Sequence, residues 1–462
     1  MSPKKILFFT IVWIIFISII IAVAYVSGQK KQTNTAQGSI KIWITDGTSE
    51  SYAPLIEWFK KYAKEYAKTE IIVEKQTNDA DRYRTILLST LIEWSGPDIF
   101  MLHSWEDAIL ETKIEPITSD FLDFSDFDKK YDDIFQDLLV SSGSWRNKKI
   151  ALLWVPLGYE TLGVFYNKSL MREVPKTWND LENLYKTNEV DIHMSNIGLS
   201  PTYTPNMVDI LPIWFNGADA KSYADITNTT DSISSYLKYA SLSTGNGTTQ
   251  WTVNTIGGSL NEEKNEMAKE KFTTFDLFMR GKIAMIVGYP SLVLELEKSS
   301  KRAWSDTVSS TILTDRLPQM SNQSNANIGR YTYFGISKYT KNGQASLKFM
   351  EYLLTPEAER LFSNEYPYLI PAQSDFYTSV EWNSLSETLG RTKLAPFLPR
   401  TREKITIFQF WLKSRFERYL KESLDIDGSP DISSLLSKIS REITCEISST
   451  LWKEWAGNCQ SD

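Results

Sequence analysis

The stretch FMRGKIAMIVGYP, residues 278–290, sets a short apolar run, Ile283 to Val287, between Gly281 and Gly288. A run this short and rich in branched residues reads as a buried strand. Gly281 suits the end of a helix, with Arg280 and Lys282 beside the negative end of its dipole. Gly288 lets the backbone turn tightly and puts Tyr289 at the strand's carboxyl end, where open α/β sheets hold their ligands. A plain core strand followed by a turn is the bland reading of the same residues.

The neighbouring sequence repeats this logic. IKIWIT (40–45) reads as a buried strand, and SYAPLIEWFKKYAKEY (51–66) places Tyr52, Leu55, Ile56, Phe59, Ala63 and Tyr66 on one helical face. TEIIVEK (69–75) is again a strand, YRTILLSTLIEW (83–94) a helix, and GPDIFML (96–102) a strand. Strands alternating with helices imply crossover units and a mainly parallel sheet. A second α/β region starts near GVFYNKSL (163–170) and VPKTWNDLENLYK (174–186), where Thr177 and Asp180 fit a capping box. Thr355 caps a further helix with Pro356 at its first position. The polar stretches within 216–265 read as surface loops.

Composition narrows the function. The chain has 462 residues, enough for two or three domains, and 15 tryptophans. Four of its 50 lysines and arginines (Lys4, Lys5, Lys30 and Lys31) precede residue 32, whereas all 57 acidic residues follow it, leaving −11. That balance, with no basic stripe, argues against a nucleic-acid partner. Ile6 to Val26 gives 21 largely apolar residues, long enough to span a bilayer and longer than the apolar core of a usual cleaved signal. The expectation is a single-pass anchor with the folded part outside the cytoplasm, a cleaved signal being the alternative. An exported compartment permits a disulfide between Cys445 and Cys459, and two free thiols are the other reading.

Enzyme signatures are missing. His103 and His193 lack metal-ligand spacing, and there is no phosphate-binding glycine loop and no G-x-S-x-G. Ser235 and Lys238 form an S-x-x-K without its companions, and no carboxylate pair stands out. No catalytic residue, metal or cofactor is expected.

GPDIFML, VPLGYETLGVFYNKSLM, VPKTWNDLENL, FMRGKIAMIVGYP and YLLTPEAERLFSNEYPYLIPAQ stand in the order found in bacterial extracellular solute-binding proteins of the maltose-binding-like type. The chain resembles these capture subunits of ABC importers over roughly residues 40–450. The resemblance implies two α/β lobes with mainly parallel sheets and a ligand cleft between them. It implies an anchor and linker over 1–39, an N-terminal lobe of 40–157 plus 287–338, and a C-terminal lobe of 158–286 plus 339–462. Chain crossings are expected near 155–160, 284–290 and 335–341. The ligand contacts it implies are Asp46, Thr48, Trp105, Tyr159, Glu160, Trp214, Asn216 and Tyr289. His103, Ser104 and Phe215 stand beside them, His103 with a structural role more than a ligand one.

Each contact has a structural alternative: Asp46 as a helix cap, Trp105 and Trp214 as core, Glu160 and Tyr289 as packing at a crossing. The expected partners are a small-molecule solute, a sugar first, ABC permease subunits, and the membrane through residues 6–26. An anchored glycoside-processing enzyme and a surface protein recognising a peptide are the rival readings.

Overall fold

The computed structural model describes residues 39–187 and 274–377, with a few short breaks, and isolated positions between 434 and 445. Strand β1 (Ser39–Ile44) buries Ile40, Ile42 and Ile44. Helix α1 (Ala53–Tyr62) carries the chain across to β2 (Glu70–Lys75), and α2 (Ala80–Ile92) carries it to β3 (Ile99–His103). Both crossovers return the strand parallel to β1, with Ile42 opposite Val73 on one side and Ile99 on the other. The expected face of α1 is buried: Tyr52, Leu55, Phe59 and Ala63 are each at most 3 % exposed.

Three short strands, β4 (Ile117–Thr118), β5 (Leu139–Ser142) and β6 (Lys149–Leu152), form a small antiparallel sheet. Strand β7 (Val155–Thr161) then returns to the first sheet, and Leu162 alone separates it from β8 (Gly163–Asn167) of another sheet. Helix α3 (Trp178–Thr187) opens on the expected capping box: Thr177 N–H donates to Asp180 Oδ2 at 3.2 Å, and Asp180 N–H to Thr177 Oγ1 at 3.1 Å.

The opening stretch folds as its residues dictate. Helix α4 (Thr274–Met279) ends at Gly281, whose φ of +67° is the left-handed conformation glycine adopts freely. Strand β9 (Met285–Gly288) is wholly buried and pairs antiparallel with β8. Strand β10 (Ile312–Asp315) takes the other side of β8, and β11 (Gly329–Ile336) goes back to the first sheet. Helices α5 (Gly343–Leu353) and α6 (Pro356–Glu365) follow, then β12 (Ile370–Pro371). The first sheet runs β12-β7-β11-β3-β1-β2, and the second β10-β8-β9.

Two expectations are corrected. Only β1–β2 and β1–β3 are parallel among the described strand pairs, so the first sheet is mixed and the described pairs of the other two are antiparallel. The parallel pairs are those reached through the crossover helices α1 and α2, whereas β11 enters the first sheet from β10 of the second, with no such crossover within the sheet to set its direction. Strand β9, which lies within the expected crossing at 284–290, and β10 both hydrogen-bond to β8, and the chain next joins the first sheet between Asp315 and Gly329. The stretch from Gly343 to Pro371, expected in the C-terminal lobe, packs on the first sheet. Phe349 meets Phe59 edge-on at 5.0 Å, Phe362 meets Tyr52 at 6.4 Å, and β12 pairs with β7.

Cys445 is disulfide-bonded. Cys459, the chain's other cysteine, lies outside the described residues, as do Ile6–Val26, Trp105, His193, Trp214, Phe215 and Asn216. Among the described residues no helix is long and apolar enough to cross a membrane.

Candidate functional site

The carboxyl ends of β1, β3 and β7 and the amino end of β11 share one edge of the first sheet, and the segment after β9 meets that edge. Each element delivers a polar side chain there. The turn after β1 presents Asp46, its side chain 41 % exposed, and the end of β3 presents His103. Strand β7 supplies Glu160, β11 supplies Arg330, and the turn after β9 supplies Tyr289 and Ser291.

Glu160 is the fixed point. Its side chain is 2 % exposed, with Oε2 paired to Arg330 Nη2 and Oε1 accepting the Ser291 N–H at 2.8 Å. The Arg330 guanidinium lies over the Tyr289 ring, 4.6 Å from its centre. Burial works against charge on Arg330, but Glu160, with Tyr289 and Asp46, outweighs it and holds the guanidinium charged above its ordinary range. A carboxylate from the first sheet thus grips an amide that follows β9 of the second.

His103 sits between Thr45 and Thr332, each hydroxyl 3.4 Å from a ring nitrogen, and its Nε2 is 3.7 Å from Asp46 Oδ2. Burial lowers its pKa, with Asp46 opposing and Arg330 adding, so the ring is neutral at pH 7. Glu106, on the turn beyond, accepts the His103 N–H at 2.9 Å, and its own N–H donates to the His103 carbonyl at 2.9 Å. Those reciprocal bonds tie Glu106 to the end of β3.

The β1 turn is held from the far end of the described chain. Tyr366 donates to the Asp46 carbonyl at 3.4 Å and lies 3.1 Å from Ser51 Oγ. Gly47, at φ +77°, leaves room for it: a Cβ there would overlap the Tyr366 hydroxyl. Tyr368 stands edge-on to Tyr366 at 6.1 Å, and burial, with Asp46 and Glu160, drives its phenol pKa far upward.

Of the expected contacts, the structure brings Asp46, Glu160 and Tyr289 into one electrostatic cluster. Thr48 is exposed, its hydroxyl accepting the Ser51 N–H at 3.3 Å. Tyr159 is different. It is fully buried and stacked on Tyr331 at 5.0 Å, with Phe135 edge-on to both, which is a core role. Arg330, Ser291, Tyr366 and Tyr368 belong to the neighbourhood and were not expected. Arg330 had a signal: it is the lone charge in the otherwise apolar, aromatic and small-residue strand GRYTYFGI. The described residues hold no group of three or more His, Cys, Asp or Glu side chains placed for a metal ion.

A family model for bacterial extracellular solute-binding proteins matches residues 57–388. The chain belongs to that family. Similar solved structures include the GacH receptor of Streptomyces glaucescens, described unliganded and with acarbose, at 16 % identity and a TM-score of 0.61 over 88 % of this chain and 98 % of that one. An ABC substrate-binding protein from Listeria monocytogenes in complex with cycloalternan gives 15 % and 0.60 over 89 % and 99 %. The maltose-maltodextrin binding protein of Alicyclobacillus acidocaldarius gives 14 % and 0.58 over 88 % and 100 %. Identities this low speak for the fold alone, and that fold is the two-lobed, mixed α/β architecture of solute-binding proteins. The chain is a solute-binding protein of the extracellular kind.

Proposed function

We propose that the protein captures a carbohydrate between its lobes and delivers it to the membrane subunits of an ABC importer. One observation carries the choice of ligand. At the inter-sheet edge Arg330 is already paired with Glu160, Asp46 adds a second carboxylate, and an aromatic ring, Tyr289, lies against the pair. A sugar asks for aromatic faces and neutral or compensated hydrogen-bonding groups, whereas an anionic solute asks for an unpaired Arg or Lys. The ligands of the similar proteins, acarbose, cycloalternan and maltodextrins, support the same class.

Asp46, Thr48, Glu160, Asn216 and Arg330 form the polar rim in this reading, and Trp105, Trp214 and Tyr289 the plates. Tyr159 supports the site from the core. The described part of the first lobe comprises residues 39–161 and 329–377, and that of the second 163–187 and 274–315. Leu162 and the return between Asp315 and Gly329 are the links about which ligand draws the lobes together. Residues 6–26 tether the protein to the membrane, and it performs no covalent chemistry on its ligand.

Calorimetric titration with maltotetraose, acarbose and cycloalternan tests the reading. Saturable binding is expected to at least one, weakened ~30-fold or more by Trp105→Ala or Trp214→Ala, the equivalent of a lost hot spot. No binding to any of them, or normal binding by both variants, contradicts it.

A further inference from the structure

A second site lies at the opposite end of the first sheet. The amino ends of β1 and β3 and the loop after β11 enclose a pocket of about 280 Å³, bordered by Lys41, Trp94, Asp98, Tyr339, Lys341 and Asn342. That is close to the ~300 Å³ at which small-molecule sites begin.

Its scaffold is rigid. The Asp98 carboxylate, on a residue only 8 % exposed, accepts the Lys41 N–H at 2.9 Å, the Thr340 hydroxyl, and Asn342 Nδ2 at 3.3 Å. Asn342 Nδ2 also donates to the Ser39 carbonyl at 2.7 Å. Asp98 is thereby compensated within the wall, and the ammonium of exposed Lys341 adds a donor to the rim.

Trp94 is the feature that folding does not explain. After α2, the N–H groups of Ser95 and Gly96 both return to the Thr90 carbonyl, at 3.0 and 3.1 Å, closing the helix end. The left-handed residue of such an ending is usually glycine. Here it is Trp94, at φ +60°, and it is the sole non-glycine with positive φ among the described residues. A bulky side chain in that conformation is strained. Burial does little to offset the strain, since Trp94 is 66 % exposed, with the Tyr339 ring 5.2 Å away and tilted by 45°. The sequence places its largest aromatic at a position suited to glycine and leaves it 66 % exposed.

We propose that this pocket is a second saccharide-binding site, in which one sugar ring lies on the exposed Trp94 indole. Its hydroxyls take the Lys341 ammonium group and the side-chain amide oxygen of Asn342, while the Lys41 ammonium stays paired with Glu74 at 3.3 Å. The shallow, open form suits a single unit of a longer glycan chain, held outside the cleft and independently of what the cleft binds. Such a site keeps the protein near a polymeric source of its solute.

Electrophoresis of the full chain in detergent, through native gels containing soluble starch, xylan or galactomannan, tests this. Retardation by at least one polymer is expected, weakened about tenfold or more by Trp94→Ala and by Trp94→Gly. Trp94→Gly also relieves the left-handed strain, so its melting midpoint should rise by roughly 2 °C while binding falls. A stability defect therefore cannot imitate the loss. Calorimetric binding of maltotetraose in the cleft should be unchanged in both variants, which separates this site from the cleft. Absence of retardation by all three polymers, retardation unaffected in Trp94→Gly, or retardation lost equally in Tyr289→Ala each overturns the proposal.

Discussion

Removing the two partners of the Glu160–Arg330 pair should have unequal consequences. Arg330→Met leaves a carboxylate that is 2 % exposed with its counter-charge gone, while the Ser291 N–H still points at Oε1. Breaking a buried pair from one side costs ~3–5 kcal/mol, and we expect about 3 because Ser291 continues to donate. Glu160→Gln is milder. The amide oxygen can still accept from Ser291, and Arg330, 32 % exposed, can turn to water and to Asp46. Screening at that exposure brings the expected cost to roughly 1–2 kcal/mol. The double variant removes both charges together, so it should lie closer to the milder single variant than to the sum, with a coupling of at least ~1 kcal/mol. Urea unfolding of the four proteins, followed by circular dichroism, supplies the cycle. If the single variants each lose less than ~0.5 kcal/mol, or their effects add within ~0.5 kcal/mol, the pair is not a fixed element of the fold.

Other consequences can be checked in the same preparations. Gly47→Ala puts a methyl group into the Tyr366 hydroxyl at a φ of +77°, and should lower stability by ~2 kcal/mol or more while disordering the Asp46 turn; an unchanged unfolding midpoint would count against that geometry. Burial raises the Glu359 carboxyl to about 8, with the Ala372 and Gln373 N–H groups partly opposing. The native state therefore holds a proton that the unfolded chain releases above the ordinary carboxyl pKa, so this residue's contribution is full below about 4.5 and declines up to about 8, by on the order of 5 kcal/mol. Glu359→Gln should flatten that slope in melting curves taken from pH 5 to 8, and parallel slopes would refute the assignment. Thr355→Ala removes the oxygen that accepts the Ala358 N–H at 3.3 Å and should cost about 1 kcal/mol of stability, measured by chemical unfolding; no loss would show the cap to be idle.

What the sequence made legible was whatever neighbours along the chain decide. Gly281, the Thr177–Asp180 box and the Thr355 cap are each determined within about four residues and each is found as read, and of the expected face of α1 Tyr52, Leu55, Phe59 and Ala63 are buried while Ile56 and Tyr66 are partly so. The lobe boundaries depend instead on which distant strand accepts a given hydrogen-bond ladder. Nothing inside ILTD (312–315) distinguishes pairing with β8 from pairing with the first sheet, and nothing inside Ile370–Pro371 announces β7 as partner. The same limit governed the site. Asp46, Glu160 and Tyr289 stand at strand ends, a local property, but their relation is set by Arg330, 170 positions beyond Glu160.

Arg330 also changes the argument about ligand class. The expected contacts, Asp46, Thr48, Trp105, Tyr159, Glu160, Trp214, Asn216 and Tyr289, include no Arg or Lys, which taken alone favours a sugar over an anion. The structure puts an arginine beside them, so that ground fails. Its conclusion stands on a different ground, because Glu160 matches the new charge before any solute arrives, and an anion binding at this edge would have to compete with a carboxylate that is already in place and 2 % exposed. Neutral hydroxyls, able to donate to Glu160 or Asp46 and accept from Arg330, join such a network without displacing any member of it. The charge that seemed to argue for an acidic ligand therefore favours a neutral one, provided the pair is kept. That makes Glu160→Gln a test of specificity as well as of stability: with its partner neutralised, Arg330 should gain affinity for an anionic sugar such as a glucuronide relative to its neutral counterpart, and an unchanged preference in competition titrations would remove the pair from any role in selecting the solute.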